Sequence, residues 1–286
     1  MNNQEQLLRD QKQEQDFRNY TDSPYQKRVA KTYQNQHTYQ TYYYVREQHE
    51  RYFGNGPKSE YEKRGSMDFW DIYKYLKTKK DDTDPDTDDV QMYHALQTAE
   101  ALRSQFPNEK YKWLHLTGFF HDFGKLLGLW EKYDWAIAGD TFPVGCQFSE
   151  ANIFYKYFQE NPDFYNPNFK TKYGIYEPNC GFDNVMMAWG HDEYWAKIMD
   201  INREKHRMPK LSSYIVRYHS FYPWHQKQAY SHLASNLDKN NLKWLIAHQK
   251  CDLYSKSTAD LYRIEENLPY YKGLVEEFFN NTMLKI

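Results

Sequence analysis

One stretch of the chain, WLHLTGFFHDFGKLLGLW at 113–130, constrains the fold more than any other. It is apolar on almost every side, yet it carries His115, His121, Asp122 and Lys125. An all-round apolar segment of this length predicts a central helix buried by its neighbours. Its polar residues then need a reason, because burying an imidazole, a carboxylate and an ammonium together costs roughly several kcal/mol unless they are paired or bind a metal. Lys125 lies four residues beyond His121 and three beyond Asp122, so the three side chains project toward one side. Two explanations compete. One is a buried Asp122–Lys125 ion pair beside a satisfied His121; the other is a metal site, favoured because adjacent His and Asp in an apolar helix are hard to satisfy without a cation.

Around this segment the periodicity is helical. Apolar and aromatic residues recur at three- and four-residue intervals over 25–52, and GNGP at 54–57 ends that helix. Further helices are predicted over 67–77, over 90–106 stopping before Pro107, near 150–158, over 182–200, over 212–222 ending at Pro223, and over 242–255. The stretch 133–180 is rich in Gly, Pro and Asn and reads as loops of the kind that carry function. There is no internal repeat, no sustained strand-type alternation and no Gly-rich phosphate loop. The class is mainly α, taken as one domain over 16–286 after a polar, disordered extension over 1–15.

With 28 Tyr, 17 Phe and 8 Trp, the core must be built largely from rings. Lys plus Arg (37) nearly balances Asp plus Glu (39), and no basic stripe suited to phosphates is present, so the expected partner is a small molecule rather than a nucleic acid. No apolar run approaches the roughly 20 residues of a membrane span. Mean hydropathy is -1.02. The three cysteines are widely spaced and odd in number, which suggests neither a disulfide framework nor a thiolate zinc site. A cytoplasmic chain, soluble and monomeric, is expected.

Other helices each offer a metal-capable group: His94, His191, His219 and Asp252. Singly, each is more often a core or surface residue. Together with His121 and Asp122 they put such a group on each of five helices, the pattern of a bundle that surrounds metal ions. Four imidazoles and two carboxylates without a thiolate suit iron, manganese or zinc, and six ligands are more than one catalytic ion needs, so two ions are expected. His248 lies one turn before Asp252 and shares its face, and spacing alone does not exclude it. Most other histidines read as surface or structural. The acidic run DDTDPDTDD at 81–89 lacks the Gly and closing Glu of an EF-hand and reads as a helix cap; AGDTFPVGC at 138–146 reads as a Gly/Pro turn.

At this point the residues resemble known proteins. His94, His121-Asp122 and Asp252 follow the H…HD…D order of the HD-domain superfamily of helical metal proteins, which are mostly phosphohydrolases, and HDFGK fits its HD-x-G-K form. More specific matches resemble the myo-inositol oxygenase family: FRNY at 17–20, HALQTAE at 94–100, HDFGK at 121–125, GDTFPVGC at 139–146, WGHDEY at 189–194, HSFYPWH at 219–225 and DLY at 252–254.

The resemblance implies a single-domain HD-type helical bundle around a di-iron centre. It implies that His94, His121, Asp122, His191, His219 and Asp252 ligate two iron ions, with Asp122 bridging, and that the position of His248 is not a ligand. It places substrate contacts on Arg18, Asp81, Asp82, Thr83, Asp84, Lys125, Gly139, Asp140, His219 and Ser220, with catalytic roles for Lys125 and Asp140. The implied reaction is four-electron ring cleavage of myo-inositol to D-glucuronate by O2 at a mixed-valence Fe(II)/Fe(III) pair, with no organic cofactor. The alternatives are an HD-type metal-dependent phosphohydrolase and a di-iron oxygenase of another polyol.

Overall fold

In a computed structural model of the chain, residues 26–57, 59–79, 91–254 and 264–286 are described. The helices are α1 Gln26–Tyr39, α2 Tyr42–Phe53, α3 Tyr61–Arg64, α4 Phe69–Leu76, α5 Gln91–Gln105, α6 Lys112–Phe120, α7 His191–Ile201, α8 Lys210–Tyr218, α9 Tyr222–His225, α10 Asn236–Tyr254 and α11 Leu268–Phe278. The mainly α class follows the sequence expectation. A two-stranded antiparallel sheet joins β1 (Ser66–Asp68) to β2 (Met283–Lys285), with Met67 opposite Leu284. No described helix is long and apolar enough to cross a membrane.

The site is framed by α5, α6, α7, α8 and α10. Helix α6 packs against α5, α8 and α11, while α10 lies on α5 and α8, and α7 on α8. Phe119, Phe120, Phe123, Trp189 and Trp195 are fully or almost fully buried around this frame. Rings of this size lose roughly 3–5 kcal/mol of stability when truncated to alanine.

Several boundaries differ from those the periodicity predicts, each for a local reason. The helix expected over 25–52 divides at Gln40. Thr41 turns to extended backbone and its hydroxyl caps α2 by accepting from the Tyr44 N–H at 3.1 Å. The side chain of Gln40 leaves the helical surface altogether: its amide donates to the Trp189 carbonyl at 2.7 Å and its oxygen accepts from the Trp189 N–H at 2.9 Å. Met67 and Asp68, expected to open the helix over 67–77, belong to β1 instead, and Asp68 caps α4 through the Trp70 N–H at 2.8 Å.

The central segment 113–130 is not one helix. Helix α6 ends at Phe120, and a 3-10 helix runs from Phe123 to Leu129. His121-Asp122 therefore sits at a junction between two windings. The helix expected over 182–200 begins only at His191, after a 3-10 turn at Phe182–Asn184 and non-helical backbone over 185–190. The segment near 150–158 becomes 3-10 helix at Tyr155–Glu160. Pro223 does not end a helix over 212–222: α8 stops at Tyr218, and Pro223 lies in the first turn of α9, where a missing N–H costs nothing. Helix α10 starts six residues earlier than the 242 expected.

Candidate metal centre

The two windings of the central segment meet the first turn of α7 at close range. A Cβ on Gly124 would stand 1.9 Å from the His191 carbonyl oxygen, so this contact exists only because residue 124 is glycine. It brings His121-Asp122 against a second His-Asp dipeptide, His191-Asp192.

Four imidazoles and their carboxylates converge here, all buried or nearly so. His94, His121 and Asp122 form one group with donor atoms within 4.8 Å of one another, and Asp122, His191 and His219 form a second. Asp122 belongs to both. Its Oδ2 lies 3.6 Å from His121 Nε2, while its Oδ1 lies 3.3 Å from His191 Nε2 and 3.6 Å from His219 Nε2. Asp252 completes the first group, with Oδ1 at 2.7 Å from His94 Nε2 and 3.3 Å from His121 Nε2. One carboxylate thus offers an oxygen to each of two imidazole clusters.

The backbone selects which nitrogen each ring presents. His121 Nδ1 is 2.7 Å from the Gly118 carbonyl, His191 Nδ1 3.0 Å from that of Ile137, and His219 Nδ1 2.8 Å from that of Val216. A carbonyl only accepts, so each Nδ1 carries a proton and each Nε2 turns a lone pair inward, as histidine ligands of metals do. The Nε2 atoms of His191 and His219 are then 3.3 Å apart. Two lone pairs facing at that distance require a cation between them, a proton or a metal. Nitrogen and oxygen donors without sulfur fit iron, manganese or zinc.

The electrostatics agree. Burial disfavours a charge on His191, but Asp192 and Asp122 outweigh it and push its pKa up to about 10. Burial would raise Asp122, yet Lys125, then His121, and hydrogen bonds from His191 and His219 hold it well below the ordinary carboxylate range. Asp252 is likewise held well below, against burial, by His94 and His121.

Lys125, 8% exposed, donates to Asp122 Oδ2 at 2.7 Å, so the ion pair and the cluster of metal-capable groups coexist. Ser220 donates to Asp192 and accepts from the Thr141 N–H at 3.0 Å, which ties the 138–146 turn to the cluster. Gly139 in that turn has φ 104 and abuts the Gln36 amide, and Asp140 accepts from the Tyr33 hydroxyl at 2.7 Å. Arg18, Asp81, Asp82, Thr83 and Asp84 lie outside the described residues.

Sequence reasoning missed Asp192, Glu193 and Arg217. Asp192 is buried with Oδ1 2.7 Å from His191 Nε2 and 3.5 Å from His219 Nε2. The repetition of the His-Asp dipeptide at 191–192 is the signal that would have found it. Behind it, Glu193 is 1% exposed and paired with Arg217 Nε at 2.5 Å and His49 Nε2 at 3.5 Å. His37, His115 and His206 are buried in other surroundings, and His225 is buried with Nε2 2.9 Å from the His219 carbonyl.

Fold and site together define a helical, HD-type protein with a buried carboxylate shared between two imidazole clusters. The sequence model of the myo-inositol oxygenase family matches residues 26–286, and this chain belongs to that family. It is 43% identical over 275 residues to the inositol oxygenase of Dictyostelium discoideum, covering 95% of this chain and 90% of that protein. Identity to a probable inositol oxygenase of Oryza sativa subsp. japonica is 46% over 267 residues, 92% of this chain and 83% of that one. With the inositol oxygenase of Homo sapiens it is 41% over 263 residues, 92% and 88%.

Proposed function

We propose that the chain catalyses O2-dependent ring cleavage of myo-inositol to D-glucuronate at a mixed-valence Fe(II)/Fe(III) pair. His94, His121 and Asp252 would hold one ion and His191 and His219 the other, with Asp122 offering an oxygen to each group. The observation that carries this reading is the placement of Asp122, one oxygen toward each imidazole cluster. A bound iron pair would chelate vicinal hydroxyls of the polyol and supply the redox capacity for O2.

The remaining work falls to side chains. The Lys125 ammonium, already at the cluster, donates to a substrate hydroxyl and stabilises negative charge that develops on its oxygen. Ser220 and Asp140 orient further hydroxyls, Asp140 as acceptor and Ser220 through the hydroxyl now turned to Asp192. Arg18, Asp81, Asp82, Thr83, Asp84 and Gly139 complete the substrate contacts, and the family resemblance is what supports them. His191 and His219 favour an oxygenase over an HD-type phosphohydrolase, because they extend the four-residue HD set into a second cluster. Anaerobic loading with iron, followed by myo-inositol and O2, is expected to yield glucuronate. Phosphate release from a phosphoester panel without O2 uptake would contradict it.

A further inference from the structure

His248 is the one imidazole at the cluster to which the proposed centre gives no role. It lies on α10 one turn before Asp252, is 0% exposed, and stands 5.1 Å from the His121 ring centre and 5.9 Å from that of His219. His121 and His219 are themselves 5.0 Å apart, and His191 and His219 5.2 Å, so His248 sits at the spacing the cluster's rings keep among themselves. It touches one ring from each half.

Neither of its ring nitrogens has a hydrogen-bond partner among the described residues. An imidazole carries two polar ring nitrogens that each call for a partner, and here both are unsatisfied. Such a group destabilises the fold when nothing replaces water. An aromatic ring that only filled this space would avoid the cost. His121, His191 and His219, by contrast, have Nδ1 anchored to backbone carbonyls.

We propose that His248 is a positioning residue of the metal centre, whose ring nitrogen would hydrogen-bond an oxygen ligand of the bound metal. The proposal rests on the two-ion reading above. It explains why a polar ring is buried against both halves, and it predicts opposite effects of removing the nitrogens on the metal-free and metal-loaded chain.

The test is His248→Phe, which keeps an aromatic ring and deletes both nitrogens. In the full chain, Zn(II) affinity, measured against a competing chelator, is expected to fall about 10- to 100-fold, the usual cost of losing a partner that supports metal ligands. The melting temperature of the metal-free variant is expected to be equal or higher. In the wild type with 15N-labelled histidine, the His248 nitrogen resonances are expected to move on Zn(II) addition. Unchanged affinity with unmoved resonances would overturn the proposal and leave the metal centre standing. A lower melting temperature of the metal-free variant would reveal a protein partner for the ring, and would also overturn it. Wild-type protein that takes up fewer than two Zn(II) per chain would sink the two-ion centre, and this proposal with it.

Discussion

The Nε2 atoms of His191 and His219 face each other across 3.3 Å, each ring holding its Nδ1 proton against a backbone carbonyl. Without a metal, Asp192 and then Asp122 hold a proton on His191 against the effect of burial, and its pKa of about 10 keeps it there at neutral pH. Metal must displace that proton. Affinity is therefore expected to rise with pH by about tenfold per unit below pH 10, with a proton released on binding. Calorimetry in buffers of different ionisation enthalpy measures the release. Affinity independent of pH would mean that the two nitrogens do not share the ion.

Gly124→Ala tests the close approach that aligns the two His-Asp dipeptides. The new methyl would fall on the His191 carbonyl, and because the obstacle is backbone, relief requires α7 to move. A stability loss of about 1–3 kcal/mol or more is expected in denaturant titrations. Binding of the second metal ion should be lost first.

The Glu193–Arg217 pair stands directly behind His191 and Asp192. Burial would raise the Glu193 pKa, but Arg217 and His49 outweigh it and hold it below its ordinary value of 4.5. A depressed carboxylate contributes stability that is present above its unfolded pKa and is lost as pH falls through the folded one. Wild-type stability should therefore decline from about pH 4.5 downward, and Glu193→Gln should flatten that decline. At pH 7 Arg217→Met, which strands the buried carboxylate, is expected to cost about 3–5 kcal/mol. Acid and urea unfolding followed by circular dichroism read both effects.

Gln40→Leu removes the two hydrogen bonds that hold the Trp189 backbone ahead of α7. Two buried backbone groups would be left unpaired, at about 1–3 kcal/mol each. Faster amide exchange at Trp189 and weaker metal retention are the expected signs.

Much of this was legible in the sequence because it rests on composition and periodicity. The apolar run around His121-Asp122 announced its own burial, and the structure brings His94, His121, Asp122, His191, His219 and Asp252 close to one another. What was hidden depends on contacts between distant residues. The split at Gln40 answers to Trp189, and the change of winding after Phe120 accompanies the approach of Gly124 to His191; no local preference encodes either. Asp192 carries a local signal, because the His191-Asp192 dipeptide repeats the one at 121–122. Spacing left His248 open as a ligand, and its unsatisfied nitrogens emerge only once the rings are in place.

The measurement that tests the central claim most directly follows both reactants at once. Iron-loaded protein is mixed with myo-inositol and 18O2, and oxygen consumption and glucuronate are measured together. Ring cleavage of C6H12O6 by O2 gives glucuronic acid and water, so one O2 should disappear per glucuronate formed, with one labelled oxygen retained in the new carboxylate. Glucuronate without label, or O2 uptake out of proportion to product, would contradict the account.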